Sequence, residues 1–200
     1  LAASRNFRRR GLTRLDAYSP HPVEGLDQAL GLSERRVPVT ALVCAVDGAV
    51  VAALVGAKEH AIRQAEAGVN IIVAQGTEAG GHCGEVSTLV LIPEVVRELA
   101  RKGHEIPVLA AGGIMTGGQM AGMMAAGAQG AWTGSIWLAT PEAETSEAFR
   151  DKMVAARSRD TVRSRSRTGK PARQLKTAWH DAWDDPQGPG TLPMPLMGMV

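Results

Sequence analysis

Cysteine is almost missing from this chain. Only Cys44 and Cys83 occur, and their spacing suggests neither a zinc cluster nor a disulfide framework, so no metal site is expected and a reducing cytoplasm is the compartment predicted. A dominant sign of charge is missing too. The 22 basic and 20 acidic side chains leave a formal net charge of +2, which supplies no reason to expect a nucleic-acid partner. Aromatic residues are absent from the most basic stretch, where Arg157, Arg159, Arg163, Arg165 and Arg167 stand among Ser, Thr, Asp and Val. Bases would find no stacking platform there, so the run reads as a solvated helix and loop packed over the body of the fold. Long apolar runs are absent as well. The longest, Ala49 to Gly56, falls far short of the ~20 residues a membrane-crossing helix needs, and the amino terminus lacks a secretory pattern. An opening methionine is also lacking, and Leu1 in its place suggests a cut sequence.

What is present is a 200-residue chain with 44% hydrophobic residues, enough for one domain with a sizeable core. From Ala49 onward, short apolar runs alternate with helical stretches. Strands are predicted over Ala49–Val55, Asn70–Ala74, Ile106–Ala111 and Gln129–Thr133. Helices are predicted over Lys58–Ala67, Ile92–Lys102 and Gly118–Ala126, closed by Gly68, Gly103 and Gly127, with a further helical run through Ala156. Pro93 suits a first helical turn, and Met120, Met123 and Met124 are read as core residues rather than metal ligands. Four strand-then-helix units in series imply parallel pairing and an α/β architecture, either a closed barrel or an open sheet.

Residues 1–48 differ in kind. A basic start (Arg5 to Arg10), a turn at Ser19-Pro20-His21-Pro22, a short helix over Glu24–Leu32 and an apolar run Val37–Val46, strand or helix, leave too little chain for four βα units of ~30 residues each. The expected organisation is an atypical segment 1–48 followed by 49–200, the carboxyl-terminal part of a barrel with a tail. Asp184–Gly190 reads as a loop. The apolar, proline-broken Pro193–Met197 reads as a tail wrapping the body or a partner subunit.

The densest signal is Val73-Ala74-Gln75-Gly76-Thr77-Glu78-Ala79-Gly80-Gly81-His82-Cys83-Gly84, which runs from a strand into a loop with glycine at 76, 80, 81 and 84. Glycines clear side chains from the path of a flat ligand and permit left-handed turns. His82 is the one side chain there that exchanges a proton near neutral pH. Gly112-Gly113 and Gly134-Ser135 follow two successive strands, where barrels hold phosphate. His60 and His104 read as surface residues; His21 and His180 carry no argument. Cys83 neighbours His82 but points to the opposite side of an extended segment, which disfavours a nucleophilic pair.

Three ordered stretches, Ala74–His82, Pro107–Ile114 and Gly130–Leu138, with Thr168-Gly169-Lys170-Pro171-Ala172-Arg173 in the tail, resemble the nitronate monooxygenases, also called 2-nitropropane dioxygenases. The resemblance covers about three-quarters of the chain, and three motifs in matching order make it specific. It implies an FMN-dependent (β/α)8 TIM barrel, of which only the carboxyl-terminal four βα units are expected here. It also implies oxidation of nitronates and nitroalkanes by dioxygen to a carbonyl compound and nitrite, with His82 as the base that removes the proton alpha to the nitro group. Gln75, Gly80, Gly81, Gly112, Gly113, Trp132, Thr133, Gly134 and Ser135 match flavin-contacting positions. Ser135 replaces the commoner threonine and keeps its hydroxyl, and the pair Trp132 and Trp137 departs from the commonest pattern. The family's opening strand with Pro-Met is not found in residues 1–48. The expected partners are a small nitro compound and dioxygen, with neither nucleic acid nor membrane. Two other readings stand beside this one: an FMN-dependent enoyl-thioester reductase, and an inactive half-barrel without flavin. Unpaired edge strands would favour a homodimer.

Overall fold

The computed structural model describes residues 50–194 and 196–199; the expected features of residues 1–48 lie outside them. Four parallel strands, β1 (Ala52–Val55), β2 (Ile71–Gln75), β4 (Val108–Ala111) and β5 (Gly130–Trp132), form one sheet in the order β1-β2-β4-β5. β3 (Gly81–His82) belongs to a second sheet, described below. Each parallel step is crossed by a helix: α1 (Lys58–Glu66), α2 (Thr88–Arg101) and α3 (Gly117–Ala125). The strand order never reverses, which is the winding of a (β/α)8 barrel rather than of a doubly wound sheet.

Alternation along the strands assigns the two faces of the sheet. Ala53 and Val55, Ile72 and Ala74, Val108 and Ala110 join one core with Ala61 and Ala65 of α1 and Leu91, Ile92, Val95 and Leu99 of α2. The buried positions of α2 recur every three to four residues, as a helix with one apolar stripe requires. The opposite face carries Leu54, Val73, Leu109 and Gly130 in one register row and Gln75, Ala111 and Trp132 in the row nearest the carboxyl ends.

Several expectations change in detail. β1 starts at Ala52 and leaves out Val50 and Val51, the N–H of Val51 being taken by the Asn70 side chain at 2.8 Å, while Ala49 lies outside the described residues. α2 starts at Thr88, which puts Pro93 in the helix interior instead of its first turn. The carbonyl that Pro93 leaves without an intrahelical donor belongs to Leu89, an exposed residue, so the helix accommodates the proline. α3 buries none of its residues. Only Met123 packs against the core, and Met120 and Met124 are exposed, contrary to the core reading of all three. The helical run expected through Ala156 is two pieces, a 3-10 helix over Ser135–Ala139 and α4 (Glu147–Ala155). Thr140 precedes Pro141 and is extended (φ −79, ψ 155), the conformation that a following proline favours.

The basic run is the largest departure. It contains β6 (Thr161–Ser164), which pairs antiparallel with β7 (Ala172–Leu175), and β7 in turn pairs with β3. α5 (Ala178–Asp184) follows. The tail folds back on this unit: the backbone of residues 192–194 lies against Gly169, and Met197 is buried with its sulfur 3.4 Å from Leu192 N.

Candidate active site

The carboxyl ends of the parallel strands bring the loops after β2, β4 and β5 together. Gln75 and Trp132 lie on the same face of the sheet with Ala111 between them. A Cβ built on Gly80 would fall on the Ser135 hydroxyl, so the loop after β2 touches the loop after β5. Gly112 and Gly113 have φ of +116 and +70. A Cβ on Gly112 would lie 2.8 Å from Thr88 Oγ1 and 2.9 Å from Ala79 N, and one on Gly113 would lie 3.1 Å from Glu78 Cβ. Glycine is needed at 112 both for the left-handed backbone and for this close approach. Gly81 differs. Its φ of +79 demands glycine, but open space surrounds its added Cβ, as it does that of Gly134. Thr133 Oγ1 accepts the indole N–H of Trp137 at 3.0 Å, and both tryptophan side chains are exposed.

Thr88 ties these loops together from below. Its N–H and hydroxyl donate to Glu78 Oε2 at 2.9 and 2.8 Å, so Glu78 satisfies the first turn of α2 from a loop ten residues upstream. A Cβ on Gly76 would overlap both Thr88 N and Thr88 Oγ1. Burial pushes the Glu78 carboxyl up, but the Thr88 donors win and hold it below its ordinary value. The folded carboxyl therefore releases its proton more readily than the unfolded one, so its stabilisation is present above the ordinary carboxylate range and is lost as pH falls through the depressed value. Glu78→Gln is expected to lower stability at neutral pH by about 1 kcal/mol, the usual figure for a charge-assisted bond being reduced by contact with solvent. It should also flatten the acid limb of denaturant midpoints measured against pH. Nothing in the sequence pattern singled out Glu78 or Thr88; a carboxylate shortly before a helix start was the available sign.

His82 sits on β3, paired with Ala172 of β7. Arg173 braces the same loop, donating through Nε to the Thr77 carbonyl at 2.8 Å and through a terminal nitrogen to Thr161 Oγ1 at 3.0 Å. Glu85, just past β3, forms an ion pair with Arg163 of β6. The imidazole is exposed at one side, and its Nε2 lies 2.7 Å from Thr168 Oγ1. Burial, and then the Lys170 ammonium, hold its pKa below the ordinary histidine value. His82 is therefore mostly the neutral base at pH 7. Cys83 contacts the Pro171 carbonyl through its sulfur at 3.9 Å. His60 is exposed and His104 half-buried, while His180 is buried with Nδ1 against Thr177. Among the described residues no cluster of metal-binding side chains forms, and no helix is long and apolar enough to cross a membrane.

Parallel βα units wound in one direction, with glycine loops converging at the carboxyl edge of the sheet, define a (β/α)8-barrel protein, and the candidate site lies at the edge where such barrels carry theirs. The sequence profile of the nitronate monooxygenase family matches residues 30–195, and the chain belongs to that family. A Mycobacterium tuberculosis protein named as a monooxygenase, Rv1533, is 60% identical over 150 residues, covering 75% of this chain and 39% of its own length. A Staphylococcus aureus protein named as a nitronate monooxygenase is 34% identical over 140 residues, covering 65% of this chain and 38% of its own. Among solved structures, FabK from Thermotoga maritima superposes with a TM-score of 0.59 at 37% identity, over 65% of this chain and 40% of that one. A nitroalkane oxidase from Streptomyces ansochromogenes superposes at 0.55 with 35% identity, over 64% and 39%. The chain thus spans about two fifths of the length of the relatives it matches.

Proposed function

We propose that this chain carries the phosphate-binding and base-bearing side of an FMN-dependent site for oxidising nitronates and nitroalkanes. The observation that carries this reading is the convergence of Gly80, Gly112 and Ser135 at one sheet edge, with His82 on the strand that leaves the same loop. The residues fit such a group. Among the described residues no acceptor takes the backbone N–H of Gly112, Gly113, Gly134 or Ser135, and N–H groups free at two adjoining strand ends suit a phosphate. Gly112, Gly113, Gly134 and Ser135 would hold the phosphate; Gln75, Gly80, Gly81, Trp132 and Thr133 would border the rest of the flavin. FMN, when bound, supplies the two-electron acceptor and its reoxidation by dioxygen. The chain supplies orientation and the base. His82 accepts the proton from the carbon alpha to the nitro group, and its lowered pKa keeps the imidazole free to do so.

After incubation with FMN and removal of unbound flavin by gel filtration, the purified chain is expected to stay yellow, with resolved flavin absorption bands. A chain that emerges colourless would refute the proposal. The likeness to FabK supports a second reading, reduction of enoyl thioesters at the same site. Stopped-flow mixing with NADH or NADPH separates the two, because rapid flavin bleaching is expected only for the reductase.

A further inference from the structure

His82 has two ring nitrogens, and one of them is engaged. Thr168 Oγ1 stands 2.7 Å from Nε2. A neutral imidazole offers one N–H and one lone pair, and a nitrogen whose in-plane position is filled at that distance cannot also meet a carbon acid. Thr168 is held for the task by backbone rather than by a long side chain. Its Oγ1 accepts the N–H of Lys170 at 3.3 Å, and the Gly169 N–H donates to the Arg165 carbonyl at 2.9 Å. Gly169 has φ +80, and a Cβ there would overlap the backbone of Leu192, Pro193 and Met194, so the tail presses directly on the turn. His82 is equally fixed, on a strand paired with β7 two residues beyond Lys170.

We infer that Thr168 is a positioning residue that accepts the Nε2–H of His82 and thereby leaves Nδ1 as the nitrogen that takes the substrate proton. The inference rests on the base role proposed above. In the step, the bond from the alpha carbon to hydrogen breaks and its electron pair stays on the substrate as the nitronate. The proton passes to Nδ1, and Nε2–H remains on Thr168 throughout. The imidazolium so formed has one of its two donors already satisfied, and the ring cannot turn without losing that bond. Thr168 is neutral, so it directs the tautomer without adding the charge that a carboxylate partner would bring; the charge that acts on the ring is the Lys170 ammonium. The motif Thr168-Gly169-Lys170 thus acquires a role that its position 86 residues from His82 concealed.

The test is made first on the unaltered 200-residue chain, labelled with 15N-histidine and held above the titration of His82. The His82 signal is assigned by its loss in His82→Asn. Long-range proton–nitrogen correlation is expected to show Nδ1 with a lone pair and Nε2 with the proton. The reverse pattern, with the proton on Nδ1 and Thr168 as donor, would overturn the inference. Thr168→Val is expected to give a mixture of tautomers and to lower kcat on a neutral nitroalkane about tenfold, the loss of one hydrogen bond's worth of orientation, with little change in KM. Thr168→Ser is expected to restore both. A valine variant with unchanged spectrum and kcat would overturn the role of Thr168. The spectrum needs neither flavin nor turnover, so failure of the oxidase reading leaves it legible.

Discussion

Replacing His82 by Asn is expected to leave flavin binding intact while slowing turnover of a neutral nitroalkane by about 10²–10⁴-fold, the usual contribution of a general base. Asn keeps a polar group near Thr168 but has no titratable proton acceptor. The nitronate form of the same substrate has already lost its alpha proton, so its oxidation is expected to fall far less. The pH profile of the unaltered protein provides a second check. His82 is held below the ordinary histidine value by burial and by Lys170. Activity on neutral nitroalkanes should therefore rise with pH, reach half its plateau below 6.5, and lose this limb in His82→Asn. Steady-state kinetics with paired nitroalkane and nitronate measure both effects. Equal loss on the two substrates would assign His82 some other role.

Gly112→Ala is expected to cost the site heavily, because backbone strain and overpacking act there together. The position has φ +116, a backbone conformation that costs an L side chain about 1–3 kcal/mol. The new methyl would also meet Ala79 N at 2.9 Å and Thr88 Oγ1 at 2.8 Å. Ala79 N belongs to the backbone of the glycine loop, and the Thr88 hydroxyl is engaged with Glu78, so neither neighbour yields without undoing a hydrogen bond. A combined loss of about 3 kcal/mol or more, together with loss of FMN binding, follows from strain plus overpacking. Gly117→Ala serves as the control. Gly117 opens α3, shows no neighbour within 4 Å of an added Cβ, and should be stabilised slightly if anything, since alanine is the better helix former. Denaturant unfolding and flavin titration of the two variants measure the contrast.

These two residues also show how far the chain could be read before its structure. The loop that carries His82 and the glycine pair at 112 and 113 were visible because their signals are local: glycine beside apolar runs of strand length, repeated unit after unit. The helices closed by Gly68, Gly103 and Gly127 were legible for the same reason, and all three glycines have positive φ. Pro93 lies in the helix interior because Glu78, supplied by another loop, starts the helix a turn before the position that a local first-turn rule assigns. The basic run around Arg163 departs from a solvated helix and loop because a strand of four residues has little periodicity of its own. Its partner β7 is held in turn by β3, across a separation no sequence window spans.

By itself, the sequence determined the four βα units, their parallel order and the carboxyl edge that gathers the glycines. Those features follow from hydrophobic period, glycine position and the handedness of crossovers, all properties of short segments. Only the tertiary structure decided the surroundings of that edge: Thr88 beneath Gly76 and Gly112, Ser135 against Gly80, and Thr168 on the imidazole of His82. Each of these contacts joins residues distant in the chain through a distance of a few ångströms. Composition and spacing set which segments fold, whereas packing alone sets which side chains then meet.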